Sequence, residues 1–240
     1  IGGSGLLGNN FVENILENDG IVIQADLKKN PKTNYLNESN LYFEKIDVNQ
    51  TSSLKKLIKK YHSQFGIIDA VVNTCYPKGK FYGRSLNDLS IDNFNDNVSL
   101  HLGSYFLVMQ QFCAYFKRNK CGNLINISSI YGSLTPRFDI YENTKIHLPV
   151  EYVAVKSAII QLTKYFAQLY KNYGIRINCI SPGGIFNNQD DNFVKSYFKY
   201  AGQKGMLEPK DINSTLTFLL SDQSKYINGQ NIIIDDGFSL

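Results

Sequence analysis

Short apolar runs alternate with longer stretches of helical periodicity along most of the chain. The runs are a few residues long and are bounded by Gly, Asn or Asp, as is typical of buried strands. They lie at 21–25, 41–46, 67–73, 124–129, 175–180 and 230–234. Between them, apolar residues recur every three or four positions, which predicts helices. This alternation predicts an α/β fold with one doubly wound parallel sheet of about seven strands and helices on both faces.

The chain opens inside a glycine-rich turn, with glycines at positions 2, 5 and 8, that leads into a helical pattern. Such glycines let backbone N–H groups and a helix N-terminus approach a pyrophosphate. Asp26 closes the next strand, where an acid is suited to accept hydrogen bonds from ribose hydroxyls. The order of turn, helix, strand and acid predicts a Rossmann-like dinucleotide site. Because the motif starts at the first residue, we expect the strand before it to be cut away in this numbering.

The carboxylate at position 26 also predicts which dinucleotide is bound. It can accept from the 2′-hydroxyl of NAD, and it repels the 2′-phosphate of NADP. Lys28 and Lys29 follow closely and could accommodate that phosphate, so NADP remains the less favoured alternative. Asp47 and Val48 follow the next strand, a position suited to an adenine edge. NAD is therefore the expected cofactor.

A Tyr and a Lys spaced one helical turn apart suggest proton-transfer chemistry. On a helix, Tyr152 and Lys156 project from the same face, so the ammonium can lower the pKa of the phenol. Ser129 ends a predicted strand and could hold a carbonyl or alkoxide oxygen beside them. These three residues fit the interconversion of an alcohol and a carbonyl.

The Tyr-x-x-x-Lys spacing is not specific, because it occurs at three other places. These are Tyr76/Lys80, Tyr141/Lys145 and Tyr200/Lys204. The first contains Pro77 and Gly79 and the last contains Gly202, which disfavour a sound helical turn. Pro149 would end any helix that began at the middle pair. Only the pair that starts at Tyr152 continues into a long helical pattern.

Composition narrows the possible partners. The formal net charge of +4 is mild, which fits an anionic small molecule at most and indicates no nucleic acid, and a solvated surface is the plainer explanation. Four cysteines without a Cys-x-x-Cys pair fit free thiols in a reducing compartment. Neither metal-ligand spacing nor an apolar run of membrane length is visible. We therefore expect a cytoplasmic protein without a metal or a membrane partner.

These motifs, in this order, make the chain similar to the short-chain dehydrogenase/reductase family over essentially its whole length. The matching elements are the glycine turn, Asp26, Asp47–Val48, Asn73, 126–129, Tyr152 with Lys156, 181–185 and 227–237. More narrowly, the chain resembles flagellin-modification oxidoreductases of bacterial nonulosonate (sialic-like) sugar pathways. The segments that suggest this are 128–132, 148–152 and 228–240.

The resemblance implies a role for each matching residue. Tyr152 would act as general acid/base, Lys156 would lower its pKa and hold the nicotinamide ribose, and Ser129 would orient the substrate oxygen. The implied cofactor-binding residues are Gly2, Gly5, Leu7, Asp26, Asp47, Val48, Asn73, Tyr152, Lys156, Pro182, Gly183 and Ile185. The resemblance also implies a homodimer or homotetramer.

The chain departs from the family pattern at four places. The glycine turn has Leu6 where the commoner pattern has its middle glycine, a spacing typical of the extended, sugar-nucleotide-handling branch. Tyr76 stands where a small residue is usual after the strand ending at Asn73. His101 replaces the helical Asn that supports a proton-relay water; an imidazole can also carry protons, or the residue can be structural.

The fourth departure is an insertion at 130–150, directly before Tyr152. It carries Arg137, Tyr141, Lys145 and His147 and is expected to shape a substrate pocket. Arg137 is the candidate for bidentate binding of a substrate carboxylate or phosphate, with a structural ion pair as the alternative. The polar, aromatic segment 186–208 is expected to form a lid.

The favoured hypothesis is a single-domain, NAD(H)-dependent oxidoreductase that acts on a polar, anionic sugar in surface-glycan or flagellin-sugar biosynthesis. One alternative is a non-catalytic NAD-binding sensor or assembly protein, in which Tyr76 and His101 have disabled the chemistry. Another is an epimerase or dehydratase that uses bound NAD transiently. The helix after Tyr152 is apolar on more than one side, so one face could pack on a second copy of the chain.

Overall fold

The computed structural model describes residues 1–30, 39–144 and 146–240. Helices and strands alternate along these residues. The helices are α1 (Leu6–Glu17), α2 (Thr51–Phe65), α3 (Ile91–Asn119), α4 (Val150–Tyr170), α5 (Asp191–Phe198) and α6 (Asn213–Leu220). The strands are β1 (Val22–Asp26), β2 (Leu41–Lys45), β3 (Ala70–Asn73), β4 (Gly122–Ile127), β5 (Ile175–Pro182) and β6 (Asn231–Ile234).

All strand pairs among the described residues are parallel, in the orders β1-β2 and β3-β4-β5-β6. Ile1 and Gly2 lie between β1 and β3 and hydrogen bond to both. The Gly2 N–H donates to the Ala25 carbonyl at 2.9 Å, and the backbone nitrogen of Ile1 donates to the Val72 carbonyl at 2.9 Å. The predicted doubly wound, parallel α/β fold is confirmed, with six strands in the described part of the chain rather than about seven.

Apolar cores on both sides of the sheet hold the helices in place. Neighbouring residues of β4 point to opposite faces, because side chains alternate along a strand. Leu124 belongs to the core beneath α2, α3 and α4, whereas Ile125 belongs to the core beneath α1 and α6. A third cluster, which includes Tyr131, Phe193 and Phe238, lies beyond the carboxyl ends of the strands. That edge is where ligands bind in open α/β sheets.

Several strand boundaries differ from the sequence prediction by one to three residues. β3 begins at Ala70 rather than at Ile67, and the N–H of Ile68 donates to the Tyr115 hydroxyl at 3.0 Å instead of joining the strand ladder. β4 ends at Ile127, two residues before Ser129, and Ser129 caps the 3₁₀ turn that follows instead of ending the strand. Within the described residues, none of the helices combines the length and apolar character that crossing a membrane requires.

Candidate active site

Two adjoining cavities open at the carboxyl ends of the strands. The larger, of about 820 Å³, extends from the glycine turn to Lys156, and we refer to it as the large cavity. The smaller, of about 500 Å³, lies between Ser129 and the segment before α6, and we refer to it as the small cavity. Tyr76 and Tyr152 line both cavities. The phenol of Tyr152 therefore lies where the two spaces meet.

The glycine turn forms one end of the large cavity and is too tight for side chains. A Cβ at Gly8 would lie 2.1 Å from the Gly2 carbonyl oxygen. A Cβ at Gly2, whose φ is +74°, would lie 2.7 Å from the Cys75 backbone nitrogen. The first N–H groups of a helix have no intrahelical partner. Gly5 caps α1 and has no side chain that could accept from them. This end of the cavity fits the pyrophosphate of a dinucleotide.

Asp26 lines the same cavity beside the glycine turn. Its Oδ2 accepts from the Ser4 N–H at 2.9 Å, and its Oδ1 accepts from the Leu27 N–H at 2.7 Å. These two bonds fix the carboxylate where a ribose hydroxyl could reach it. Lys28 and Lys29 also line the cavity, so basic groups lie near the acid as the sequence suggested.

The structure separates the other expected cofactor residues into two groups. Val48 and Lys156 line the large cavity, Pro182, Gly183 and Ile185 line the small one, and Leu7 lines both. Asp47 and Asn73 are absent from the lining of either cavity. Their side chains stabilise local turns instead: Oδ1 of Asp47 accepts from the Asn49 N–H at 2.9 Å, and Oδ1 of Asn73 accepts from the Cys75 N–H at 3.3 Å.

Tyr152 lies in the first turn of α4, since Pro149 caps this helix and Val150 begins it. Burial raises the pKa of the Tyr152 hydroxyl, and the neighbouring Ser129 side chain lowers that pKa by a smaller amount. The sequence-based expectation that Lys156 lowers the pKa of Tyr152 is thus wrong for the protein in this form. The reason is geometric: Nζ of Lys156 donates to the Ile127 carbonyl at 3.0 Å and lies 5.6 Å from the centre of the Tyr152 ring.

Lys156 is itself almost completely enclosed, at 5% exposure. Burial lowers its pKa to about 8, because removing water disfavours the ammonium form. Most molecules still carry this charge at neutral pH.

His101 is buried on α3 and lines neither cavity. Its ring packs against Tyr76, with 4.8 Å between the ring centres, and its Nε2 has no hydrogen-bond partner. Burial, assisted by the charges of Lys156 and Lys78, lowers the pKa of His101 to about 2. The imidazole is therefore neutral at physiological pH and sits behind Tyr76.

The loop after β3 brings two tyrosines to the site. The ring of Tyr76 packs edge-on against Tyr152 at 5.9 Å between ring centres, and its hydroxyl hydrogen bonds to that of Tyr82. The ammonium of Lys78 lies 4.7 Å from the centre of the Tyr76 ring, in cation–π geometry. Sequence reasoning gave Tyr76 no part in forming a cavity, but this residue lines both cavities.

The insertion and the 186–208 segment both contribute residues to the lining of the small cavity. The insertion contributes Tyr131, Tyr141, Ile146, His147, Leu148 and Pro149. The 186–208 segment contributes Asn187, Gln189, Phe193, Tyr197 and Met206. Lys145, named with the insertion, lies outside the described residues.

Arg137 is placed away from both cavities. Its Nη2 donates to the Leu240 carbonyl at 3.3 Å, and its guanidinium lies 4.3 Å from the centre of the Tyr200 ring and 5.8 Å from that of Phe238. The guanidinium thus joins the insertion to the segment after α5 and to the residues after β6. These contacts are neither the predicted contact with a substrate nor the alternative of a structural ion pair.

Sequence reasoning missed Tyr105 and Tyr131. The hydroxyl of Tyr105 donates to the Ile127 carbonyl at 2.8 Å, next to Lys156. Its spacing of four from His101 was a usable signal, because residues four apart share a helix face. Tyr131 lies in an irregular turn, where no periodicity indicates the direction of a side chain.

Comparison with known proteins identifies the family. A family model described as enoyl-(acyl carrier protein) reductase matches residues 7–239. Post-translational flagellin modification protein A of Campylobacter coli is 38% identical over all of this chain and 96% of its own. A 7alpha-hydroxysteroid dehydrogenase of Bacteroides fragilis is 27% identical over all of this chain and 92% of its own. A short-chain dehydrogenase of Leptospira borgpetersenii, solved with bound NAD⁺, superposes with a TM-score of 0.89 at 32% identity and covers 100% of this chain and 91% of its own.

Proposed function

Because the chain belongs to the short-chain dehydrogenase/reductase family, an NAD(P)-dependent enzyme class, we propose that it interconverts an alcohol and a carbonyl on a polar, sugar-type substrate with NAD(H). The position of Tyr152 carries this proposal. Tyr152 lines both cavities, and the Ser129 side chain is near enough to influence the pKa of the Tyr152 hydroxyl. A cofactor in the large cavity and a substrate in the small one would share this phenol.

The chain's own groups account for orientation and proton transfer. The bound nicotinamide would supply or accept the hydride. Ser129 would hold the substrate oxygen, and Tyr152 would give a proton to that oxygen during reduction or take it during oxidation. Since burial raises the pKa of Tyr152, its hydroxyl is protonated at neutral pH and ready to donate. Lys156, one turn along α4, would hold the nicotinamide ribose.

NAD(H) is preferred to NADP(H) because Asp26 presents a fixed carboxylate where the ribose hydroxyls would lie. The NAD⁺ bound to the Leptospira relative supports this choice. Lys28 and Lys29 are the groups that would have to turn toward a 2′-phosphate for the opposite preference.

A sugar-type substrate is supported by the flagellin-modification relative and by the lining of the small cavity. The tyrosine hydroxyls of this lining can donate and accept hydrogen bonds. Ring faces of residues such as Phe193 offer apolar surface to a carbohydrate ring.

The chain is further proposed to be one domain that self-associates through α3 and α4, whose outer faces expose Phe106, Tyr165 and Leu169.

The experiment that tests this function is a panel of phosphorylated and amino sugars incubated with NAD⁺ or NADP⁺. Formation of reduced nicotinamide in step with carbonyl product is the expected result, faster with NAD⁺. Product formation without net reduced nicotinamide would indicate an epimerase or dehydratase instead. Tight NAD⁺ binding with no product from any sugar would favour a non-catalytic sensor.

A further inference from the structure

A second pair of hydroxyls lies in the small cavity beside Ser129 and Tyr152. The Tyr141 hydroxyl donates to the Tyr131 hydroxyl at 3.1 Å, and both residues line the cavity. The two tyrosines lie in different 3₁₀ turns of the insertion: Tyr131 in the turn that follows β4, and Tyr141 at the end of the next turn. Neither is part of the proton-transfer group described above.

The tyrosine pair is connected to Ser129 by a hydrogen bond. The N–H of Tyr131 donates to Oγ of Ser129 at 3.2 Å, so a displacement of one would move the other. The Tyr131 phenol is also near enough to be one of the groups that raise the pKa of Tyr152. The ring of Tyr141 also packs against the ring of Phe193, with 5.2 Å between the ring centres.

The pair has one hydroxyl proton left to offer. Tyr141 uses its proton in the bond to Tyr131, so Tyr131 keeps its own proton for another acceptor. Burial raises the pKa of Tyr131 and that of Tyr141, so both are neutral at physiological pH. A donor that itself accepts a hydrogen bond is strengthened by it, because successive hydrogen bonds polarise one another.

From this geometry we propose that Tyr131, supported by Tyr141, binds a second oxygen of the substrate. The ligand class is a ring that carries a hydroxyl on the carbon next to the reacting carbinol or carbonyl carbon. The inference rests on the proposed function, which places the reacting oxygen at Ser129 and Tyr152. It goes further by making the adjacent hydroxyl a specificity determinant.

A minimal substrate pair isolates this second oxygen. Cyclohexanol and vicinal cyclohexanediol share the same ring, and only the diol carries the adjacent hydroxyl. One net hydrogen bond predicts that kcat/KM for the diol exceeds that for cyclohexanol by about three- to tenfold. The assay follows reduced nicotinamide, and the reverse reaction compares cyclohexanone with 2-hydroxycyclohexanone.

Three variants assign the preference to the tyrosine pair. Tyr131→Phe should reduce the diol-to-alcohol ratio to about one, since the donor is lost. Tyr141→Phe should reduce the ratio only partly, because Tyr131 keeps its proton but loses the bond that strengthens it. Tyr226→Phe removes a hydroxyl from a ring that is 88% exposed, and this control should leave both rates unchanged. Thermal melting of each variant verifies that it is folded.

Several results would overturn the inference. Equal kcat/KM for the two alcohols in the unaltered protein would contradict it while leaving the proposed function intact. So would a diol preference that survives in both Tyr131→Phe and Tyr141→Phe. If neither the alcohols nor the ketones react, while the sugar panel also fails, the proposed function is wrong and the inference fails with it. Turnover of sugars without turnover of any cyclohexane derivative would contradict the inference alone.

Discussion

The ammonium group of Lys156 donates a hydrogen bond to the carbonyl oxygen of Ile127 at 3.0 Å. This bond joins α4, which carries Tyr152, to the end of β4, from which the chain continues to Ser129. A second bond between the same elements, from the Ser128 hydroxyl to the Lys156 carbonyl at 2.7 Å, fixes their separation. The relative position of the proton donor and the oxygen-holding serine therefore depends on this helix–strand junction.

The buried ammonium predicts an alkaline pH effect on stability. The pKa of Lys156 is about 8 in the folded protein and 10.5 as the ordinary value, so the unfolded chain binds more protons between these limits. Stability should thus rise with pH across this window, by up to about 3 kcal/mol in total. Urea unfolding between pH 8 and 10 should show this rise relative to Lys156→Met. Parallel pH dependence in both proteins would contradict the assignment.

His101 predicts a corresponding effect in acid. Its pKa is lowered to about 2, so only the unfolded chain gains its proton as the pH falls below about 6.5. The folded protein should lose about 1.4 kcal/mol of stability per pH unit below that point from this residue alone. His101→Asn removes the titrating group, and its unfolding free energy should fall less steeply from pH 6.5 to 5. The same slope in both proteins would show that His101 is protonated in the folded state.

Two helical glycines provide a matched test of the cofactor turn. Gly8→Ala places a Cβ 2.1 Å from the Gly2 carbonyl oxygen, which must displace the turn, and NADH affinity should fall at least tenfold, about 1.4 kcal/mol. Gly103→Ala meets no atom within 4 Å and should increase stability by up to about 1 kcal/mol through helix propensity. NADH fluorescence titration and thermal melting measure both. Unchanged NADH affinity in Gly8→Ala would place the pyrophosphate elsewhere.

Arg137→Ala tests the correction to the sequence-based assignment. Loss of its stacking on Tyr200 and of its bond to Leu240 should cost about 1 kcal/mol of stability, with KM for the sugar substrate changed less than twofold. Arg84→Ala is the control, because Arg84 also lies over an aromatic ring, that of Phe81 at 4.3 Å. A large increase in KM for Arg137→Ala alone would restore the substrate-binding role.

The sequence predicts the placement of Tyr152 well because backbone rules govern it. Pro149 disfavours a helix that continues through it, so α4 begins immediately after it and Tyr152 falls in the first turn, with Lys156 on the same face. The glycine turn and the position of Asp26 at the end of β1 follow from similarly local constraints.

Side chains on irregular backbone could not be predicted in this way. Arg137, Tyr131 and Tyr141 lie in short turns whose side-chain directions follow no period, so their partners are set by tertiary packing. The spacing of residues likewise does not show how deeply a side chain is buried. The pair Tyr152 and Lys156 suggested a lowered phenol pKa, whereas enclosure by Tyr76, Tyr131 and neighbouring groups raises it.

The most direct test of the account is hydride transfer by Tyr152→Phe measured beside NADH binding. The variant keeps the ring of Tyr152, which lines both cavities, and loses the hydroxyl whose pKa the Ser129 side chain influences. We predict that turnover of the sugar substrate falls by at least a hundredfold, the scale of acid–base catalysis, while NADH affinity changes little. Turnover close to that of the unaltered protein would contradict the assignment of Tyr152 as the proton donor.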